Sequence, residues 1–229
     1  MRIALIQSNP LVGDLQGNRL RLQEQCLQAS EAGADLALAP ELALWGYPPR
    51  DLLLQPSLQQ QQDHQLQQLS KVLPPGLGLL LGVVETNGQR LFNAMALVKN
   101  KGWQLVARKR LLPSYDVFDE QRYFHSGEQP ALLEWGDKRL GLTLCEDLWV
   151  EPKISGRSAP LCDPIAELQP LRPDLLINLS ASPFGQGKSE RRRQLAGAAQ
   201  ERLGCPVLYV NQVGGNDELI FDGNSFVLD

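Results

Sequence analysis

The amino-acid sequence predicts an α/β domain, and three observations carry that prediction. Short apolar runs alternate with longer stretches whose leucines recur at helical spacing. Three of the runs end in one chemically capable residue: Glu41 after 36–39, Lys109 after 103–107 and Cys145 after 140–144. Strand ends are where α/β sheets present reactive groups. Finally, the 229 residues are enough to bury a core that needs no disulfide or metal to hold it.

In chain order, residues 2–7 read as a strand and 9–14 as a loop. Residues 18–31 carry helical spacing at Leu20, Leu22 and Leu27, and Gly33 is a stop signal. Residues 36–39 are a short strand, and Pro40 opens a loop through Gly46 and Pro48-Pro49. Residues 56–72 are a helix with Leu58, Leu66, Leu69 and Val72 on the face expected to be buried. Its glutamine-rich remainder is expected to face solvent. Residues 78–85, 92–98 and 103–107 are successive strands, separated by the turn signals Asn87-Gly88 and Asn100-Lys-Gly102. Residues 140–144 are the strand before Cys145, and 151–170 are a Pro-, Gly- and Ser-bearing insertion with little periodicity. Residues 175–179 are a buried strand, 188–203 a helix and 207–210 a strand. Residues 219–221 and 225–228 read as a short strand pair. No repeat or linker divides residues 1–229. The chain starts directly on a strand, so no signal or transit peptide is expected. It stops in Phe226-Val-Leu-Asp229, inside a strand, so a C-terminally truncated piece of a longer protein is expected.

Composition narrows the function. A net charge of -4 and a pI near 5.3 argue against nucleic acid as a partner, which calls for a basic face. The one dense basic run, Arg191-Arg-Arg193, is expected to be a solvated or interface face of a mixed-charge helix. No apolar run approaches the ~18 residues of a membrane span. Four cysteines, Cys26, Cys145, Cys162 and Cys205, include no close-spaced ligand pair, so no metal site is expected. Cys26 and Cys205 read as inert core thiols and Cys162 as a loop residue. Unpaired cysteines point to a reducing, cytoplasmic setting, where a catalytic thiolate survives.

A cysteine nucleophile needs a base, usually histidine. The two histidines lie in the helix 56–72 (His64) and a polar loop (His125), so a carboxylate is the better candidate. Glu41 could take the Cys145 proton and pass it to a leaving amine. Lys109 could sit beside the developing oxyanion, with a backbone N–H after the cysteine. A carboxylate next to a thiol raises its pKa, and a lysine offsets this, so the three residue types make sense together. Both Glu41 and Lys109 are expected to serve chemistry and not folding. Singly, each has an ordinary reading: a loop-bonding acid, a surface lysine, a buried thiol. Gly187-Lys188-Ser189 could suggest a phosphate loop, but that motif needs glycine where Ser182 stands.

Three blocks together resemble the signatures of the nitrilase (carbon–nitrogen hydrolase) superfamily. They are Pro40-Glu41-Leu-Ala-Leu-Trp-Gly-Tyr-Pro-Pro49, Lys109-Arg-Leu-Leu-Pro-Ser-Tyr115 running on through Phe118-Asp-Glu120 to Phe124, and Leu142-Thr-Leu-Cys-Glu-Asp-Leu-Trp149. Two more, Asn178-Leu-Ser-Ala-Ser-Pro-Phe184 with Gly187-Lys188, and Val210-Asn-Gln-Val-Gly-Gly-Asn-Asp-Glu-Leu-Ile-Phe-Asp-Gly223, are similar to the amino-terminal glutaminase domain of glutamine-dependent NAD synthetases. The resemblance covers nearly the whole chain. It implies an α/β four-layer αββα sandwich of the nitrilase type and a Glu–Lys–Cys triad of Glu41 (base), Lys109 (oxyanion) and Cys145 (nucleophile). Glu120 would support the lysine and the substrate amide. Tyr115, Ser182 and Lys188 would hold L-glutamine, whose carboxylate and ammonium suit a cation and hydroxyls.

The function this implies is hydrolysis of L-glutamine to glutamate and ammonia through a cysteine thioester. The ammonia would feed ATP-dependent amidation of deamido-NAD by a C-terminal NAD synthetase domain absent from this sequence. No cofactor is expected in residues 1–229; ATP and Mg would belong to the synthetase domain. A homo-oligomer is expected by resemblance alone. Two alternatives stay open: a stand-alone amidase acting on another small amide, and an assembly or channelling module idle in isolation.

Overall fold

The computed structural model describes residues 1–156 and 158–229. Two five-stranded sheets form its centre. The first runs β1 (Ile3–Leu5), β2 (Leu36–Leu38), β3 (Gly78–Asn87), β4 (Arg90–Lys99) and β5 (Gly102–Arg108). Its first three strands are parallel, and β4 and β5 follow as antiparallel hairpins. The second runs β12 (Phe226–Leu228), β9 (Val207–Asn211), β8 (Leu175–Ser180), β7 (Lys138–Leu144) and β6 (Ala131–Trp135). It is parallel through β7, β8 and β9 and antiparallel at both edges. A separate hairpin pairs β10 (Val213–Asn216) with β11 (Leu219–Asp222).

Three apolar clusters stack these elements into layers. Helices α1 (Leu15–Glu31) and α2 (Pro56–Val72) bring Leu22, Cys26, Leu66 and Leu69 against Ala37, Leu79 and Leu81 of the first sheet. Between the sheets, Leu36, Leu38 and Leu80 meet Leu142, Ile177 and Leu179. Beyond the second sheet lie α3 (Pro152–Ser155), α4 (Pro164–Leu168) and α5 (Lys188–Leu203). There Ile165, Leu168 and Leu195 pack on Leu176, Val207 and Tyr209. The order is helix, sheet, sheet, helix: the αββα sandwich that the resemblance implied. Leu176 points to one face and Ile177 to the other, and both are buried. This is why the strands read as continuous apolar runs instead of alternating ones.

Several elements differ from the sequence reading. Helix α1 starts at Leu15, because the Asp14 side chain accepts the Gly17 N–H at 2.8 Å and caps it. Its buried face is Leu15, Asn18, Leu22, Cys26 and Ala29, whereas Leu20 and Leu27 are exposed. Helix α2 has the expected bounds but not the expected faces: Gln62 and Gln65 are buried and Val72 is exposed. Gln62 accepts from Trp45 Nε1 and Val84 N, each at 2.8 Å, and donates to Val84 O at 2.7 Å. Strand β6 has no counterpart in the reading. Residues 219–221 and 225–228 do not pair with each other; β11 pairs with glycine-bearing β10, while β12 joins β9. Gly223, at φ +61°, turns the chain between them. Within Arg191-Arg-Arg193, Arg192 is buried and not solvated. The insertion 151–170 contains α3 and α4; its Arg157 lies outside the described residues.

Candidate active site

Glu41, Lys109 and Cys145 come from different elements and from both sheets. Glu41 follows β2, Lys109 follows β5, and Cys145 follows β7 at the head of a 3-10 turn, Cys145–Leu148. Glu41 and Lys109 have no solvent contact. Lys109 Nζ donates to Glu41 Oε1 at 2.7 Å and to Glu120 Oε1 at 2.8 Å. Tyr47 donates its hydroxyl to Glu120 Oε1 at 2.7 Å. Asn93 Nδ2 donates to Glu41 Oε1 at 2.7 Å, and the Ala181 N–H donates to Glu41 Oε2 at 2.9 Å. An ammonium has three N–H bonds, so Lys109 keeps one beyond those given to its two carboxylates. Burial would discharge the lysine, but Glu120 and Glu41 outweigh it and hold the ammonium firmly charged. Burial also pushes the Glu120 carboxyl up, against the pull of Lys109 and with the repulsion of Glu41.

Cys145 is buried and adopts φ +41°, a left-handed conformation that is costly for a residue with a Cβ and clusters at functional sites. Leu42, next to Glu41, is also left-handed at φ +48°. Burial pushes the Cys145 thiol well above its ordinary value; Glu41 adds to the rise and Lys109 opposes it. The resting thiol is therefore neutral at pH 7. Asp147 locks this turn to the lysine segment. It accepts Leu144 N at 3.0 Å, Arg110 N at 3.0 Å and Leu111 N at 2.8 Å. Burial raises its carboxyl to about 6, even with these backbone donors favouring the ion.

The expected substrate-binding residues fall around the same centre. Tyr115 donates its hydroxyl to Glu146, which follows the cysteine, at 2.9 Å. Lys188 Nζ lies 5.4 Å from the Phe118 ring centre and 5.8 Å from that of Trp149. Ser182 is buried; its Oγ accepts from Arg192 Nε at 3.2 Å and its N–H donates to Asn211 Oδ1 at 2.8 Å. Buried Arg192 also donates to the carbonyls of Ser182 (2.9 Å) and Pro183 (2.8 Å) and pairs with Asp222 at 2.8 Å. A cavity of about 330 Å³ lies on the Glu120 side, lined by Tyr47, Pro49, Phe118, Glu120 and Tyr123, but not by Cys145 or Lys188. Among the described residues no group of three or more His, Cys, Asp or Glu side chains is placed to hold a metal ion. No helix among them is long and apolar enough to cross a membrane.

Sequence reasoning did not find Tyr47, Asn93, Asp147 or Arg192. Asn93 left the clearest signal, a lone amide inside the apolar strand Phe92-Asn-Ala-Met-Ala-Leu-Val98.

A sandwich of two sheets between helices, with a strand-end cysteine beside a buried acid–lysine cluster, defines an α/β protein of the nitrilase class. The chain belongs to the carbon–nitrogen hydrolase family, whose model matches residues 2–229. It is 42% identical, over 99% of its length, to a glutamine-dependent NAD(+) synthetase of Synechocystis sp., and covers 42% of that protein. It superposes on a glutamine-dependent NAD+ synthetase structure from Acinetobacter baumannii, in complex with ADP, with a TM-score of 0.87. There it is 35% identical and covers 98% of this chain and 40% of that one. An amidase from Nesterenkonia sp. superposes with a TM-score of 0.82 at 25% identity, covering 100% of this chain and 82% of the amidase. The chain thus spans about two fifths of the length of the synthetases it matches.

Proposed function

We propose that this chain hydrolyses the side-chain amide of L-glutamine to glutamate and ammonia through a thioester on Cys145. The observation that carries this reading is the buried Glu41–Lys109–Glu120 cluster, built on one sheet beside a left-handed cysteine built on the other. The neutral thiol needs a base at the moment of attack, and Glu41 supplies it. Sulfur bonds to the amide carbon while its proton passes to Glu41. The remaining Lys109 N–H and the backbone N–H after Cys145 stabilise the oxyanion. The C–N bond then breaks, the proton leaves with the nitrogen as ammonia, and water activated by Glu41 hydrolyses the thioester. Lys188 suits the substrate carboxylate, while Tyr115 and Ser182 supply hydroxyls. Glu146, held by Tyr115, suits the substrate ammonium.

Residues 1–229 then act as the glutaminase part of a longer enzyme. Its C-terminal NAD synthetase domain spends the ammonia on ATP-dependent amidation of deamido-NAD, so ATP and Mg serve that domain and hydrolysis needs neither. The names and lengths of the synthetase relatives support this. A second reading, a stand-alone amidase for another small amide, is favoured by the near full-length match to the Nesterenkonia amidase. Ammonia release from glutamine, with and without ATP, separates them, alongside labelling by a glutamine-derived diazoketone. Wild-type protein should release ammonia from glutamine, and Cys145→Ala should not. Label should map to Cys145 and spare Cys26, Cys162 and Cys205. Preference for an aliphatic amide over glutamine would transfer the assignment to the amidase.

A further inference from the structure

Asn93 lies in β4 with no solvent contact and touches both charged members of the cluster. Its backbone carbonyl accepts the Lys109 backbone N–H at 2.8 Å. Its side chain donates to Glu41 Oε1 at 2.7 Å, the same oxygen that Lys109 Nζ holds at 2.7 Å. Among the described residues, Glu41 Oε2 accepts one hydrogen bond, from the Ala181 N–H at 2.9 Å. A carboxylate oxygen has about two lone-pair positions. Oε1 is therefore filled, and Oε2 keeps one position open. Charge fixes the orientation of the amide, because the reverse arrangement would set its oxygen against the carboxylate. Asn93 Oδ1 is buried and has no hydrogen-bond partner among the described residues, a desolvation cost that an apolar residue would not incur. The donor is what this position needs.

We infer that Asn93 is a positioning residue that makes Oε2 of Glu41 the oxygen that carries the proton in each step. The inference rests on the reading of Cys145 as nucleophile and Glu41 as base, and deepens it. In the first step the S–H bond of Cys145 breaks, an O–H bond forms on Oε2, and sulfur bonds to the amide carbon. When the C–N bond breaks, that proton leaves with the nitrogen and Oε2 is bare again. In the second step Oε2 takes a proton from water, whose oxygen bonds to the thioester carbon; the proton then returns to the departing sulfur. Oε1, holding two donors, is the weaker acceptor throughout. Without the Asn93 donor, Oε1 recovers a lone pair and the carboxylate loses the contact that fixes its rotation, so fewer encounters present a basic oxygen to the thiol.

The test is Asn93→Leu and Asn93→Ala, neither of which carries a side-chain donor, each measured two ways. One is glutamine hydrolysis. The other is the rate at which iodoacetamide alkylates Cys145, followed by peptide mass mapping, which needs the base but neither glutamine nor C–N cleavage. Both variants keep the backbone bond to Lys109. In variants that retain the wild-type circular dichroism spectrum, alkylation of Cys145 should slow about tenfold or more, and kcat should fall by a similar factor. KM should stay within about threefold. Added to Glu41→Gln, Asn93→Leu should slow alkylation no further. Wild-type alkylation rates in the folded variants would overturn the inference, as would a loss confined to KM. If Asn93→Leu fails to fold, the smaller Asn93→Ala carries the comparison. If wild-type protein leaves glutamine untouched while alkylation still depends on Glu41 and Asn93, the substrate reading fails and this inference stands.

Discussion

Lys109 joins two carboxylates that have almost no contact with water. Such a buried group bears on the fold as well as on the proposed chemistry, so Lys109 is expected to serve both. Removing it strands two buried charges, on the scale of about 3–5 kcal/mol for breaking a buried ion pair. Lys109→Met should therefore lower the thermal midpoint markedly as well as abolish hydrolysis. Glu120→Gln separates the two effects: its amide oxygen can still accept from Lys109 and Tyr47, so the midpoint should hold while hydrolysis falls at least about tenfold. A melt of Lys109→Met matching wild type would show the cluster to be structurally idle. The pH dependence has a definite sign. Glu120 is raised by burial, so the folded state takes up its proton more readily than the unfolded one. Its stabilising contribution is complete in acid and is lost as pH rises through its folded range. Activity should run the other way, because in the proposed mechanism the ionised carboxylate orients Lys109. As pH rises from about 5 to about 8, hydrolysis should climb in wild type. In Glu120→Gln that acidic limb should flatten; an unchanged limb would remove Glu120 from it.

At the scale of elements, the strand ends deliver the groups, but close backbone packing sets their depth. Gly82 in β3 shows this. Its N–H donates to Pro40 O at 3.0 Å, and a Cβ there would collide with Leu42 N and Glu41 Cα. Backbone on both sides leaves nothing flexible to give way. Gly82→Ala should push the Glu41 loop outward and cost roughly 1–3 kcal/mol, the scale of overpacking. It should also reduce hydrolysis far more than it reduces the helical signal of the fold. A folded Gly82→Ala with wild-type kcat would mean that the Glu41 loop tolerates displacement. Gln62 works from the opposite side, tying Trp45 of that loop to β3 through three hydrogen bonds.

At the scale of the whole molecule, the site exists only where the two sheets meet. Glu41, Lys109 and Asn93 belong to one sheet's side and Cys145 to the other's, and the Ala181 N–H ties Glu41 directly to the second sheet's side. Side chains between the sheets therefore set the distance between Glu41 and Cys145, the proposed base and nucleophile. Leu80 is fully buried in that layer. Leu80→Ala should destabilise by about 2–5 kcal/mol and, at a temperature where the variant is still folded, lower kcat with little change in KM. A loss of stability with kcat intact would show that the sheets hold their spacing without this side chain.

The sequence alone determined the α/β class, the bounds of α2 and α5, and three strand-end residues, because these follow from local periodicity, turn chemistry and residue type. The resemblance of its motif blocks implied the αββα layering. What depends on which residues end up adjacent was decided by tertiary structure. Gln62 and Arg192 read as solvated because they sit in polar helical stretches; burial became possible only where distant backbone groups satisfied them. β10 was illegible because Val-Gly-Gly-Asn has little strand propensity, and it forms because β11 pairs with it. Asn93 looked like an odd amide in an apolar strand. It acquired a meaning only when packing brought Glu41, 52 residues away, to its side chain.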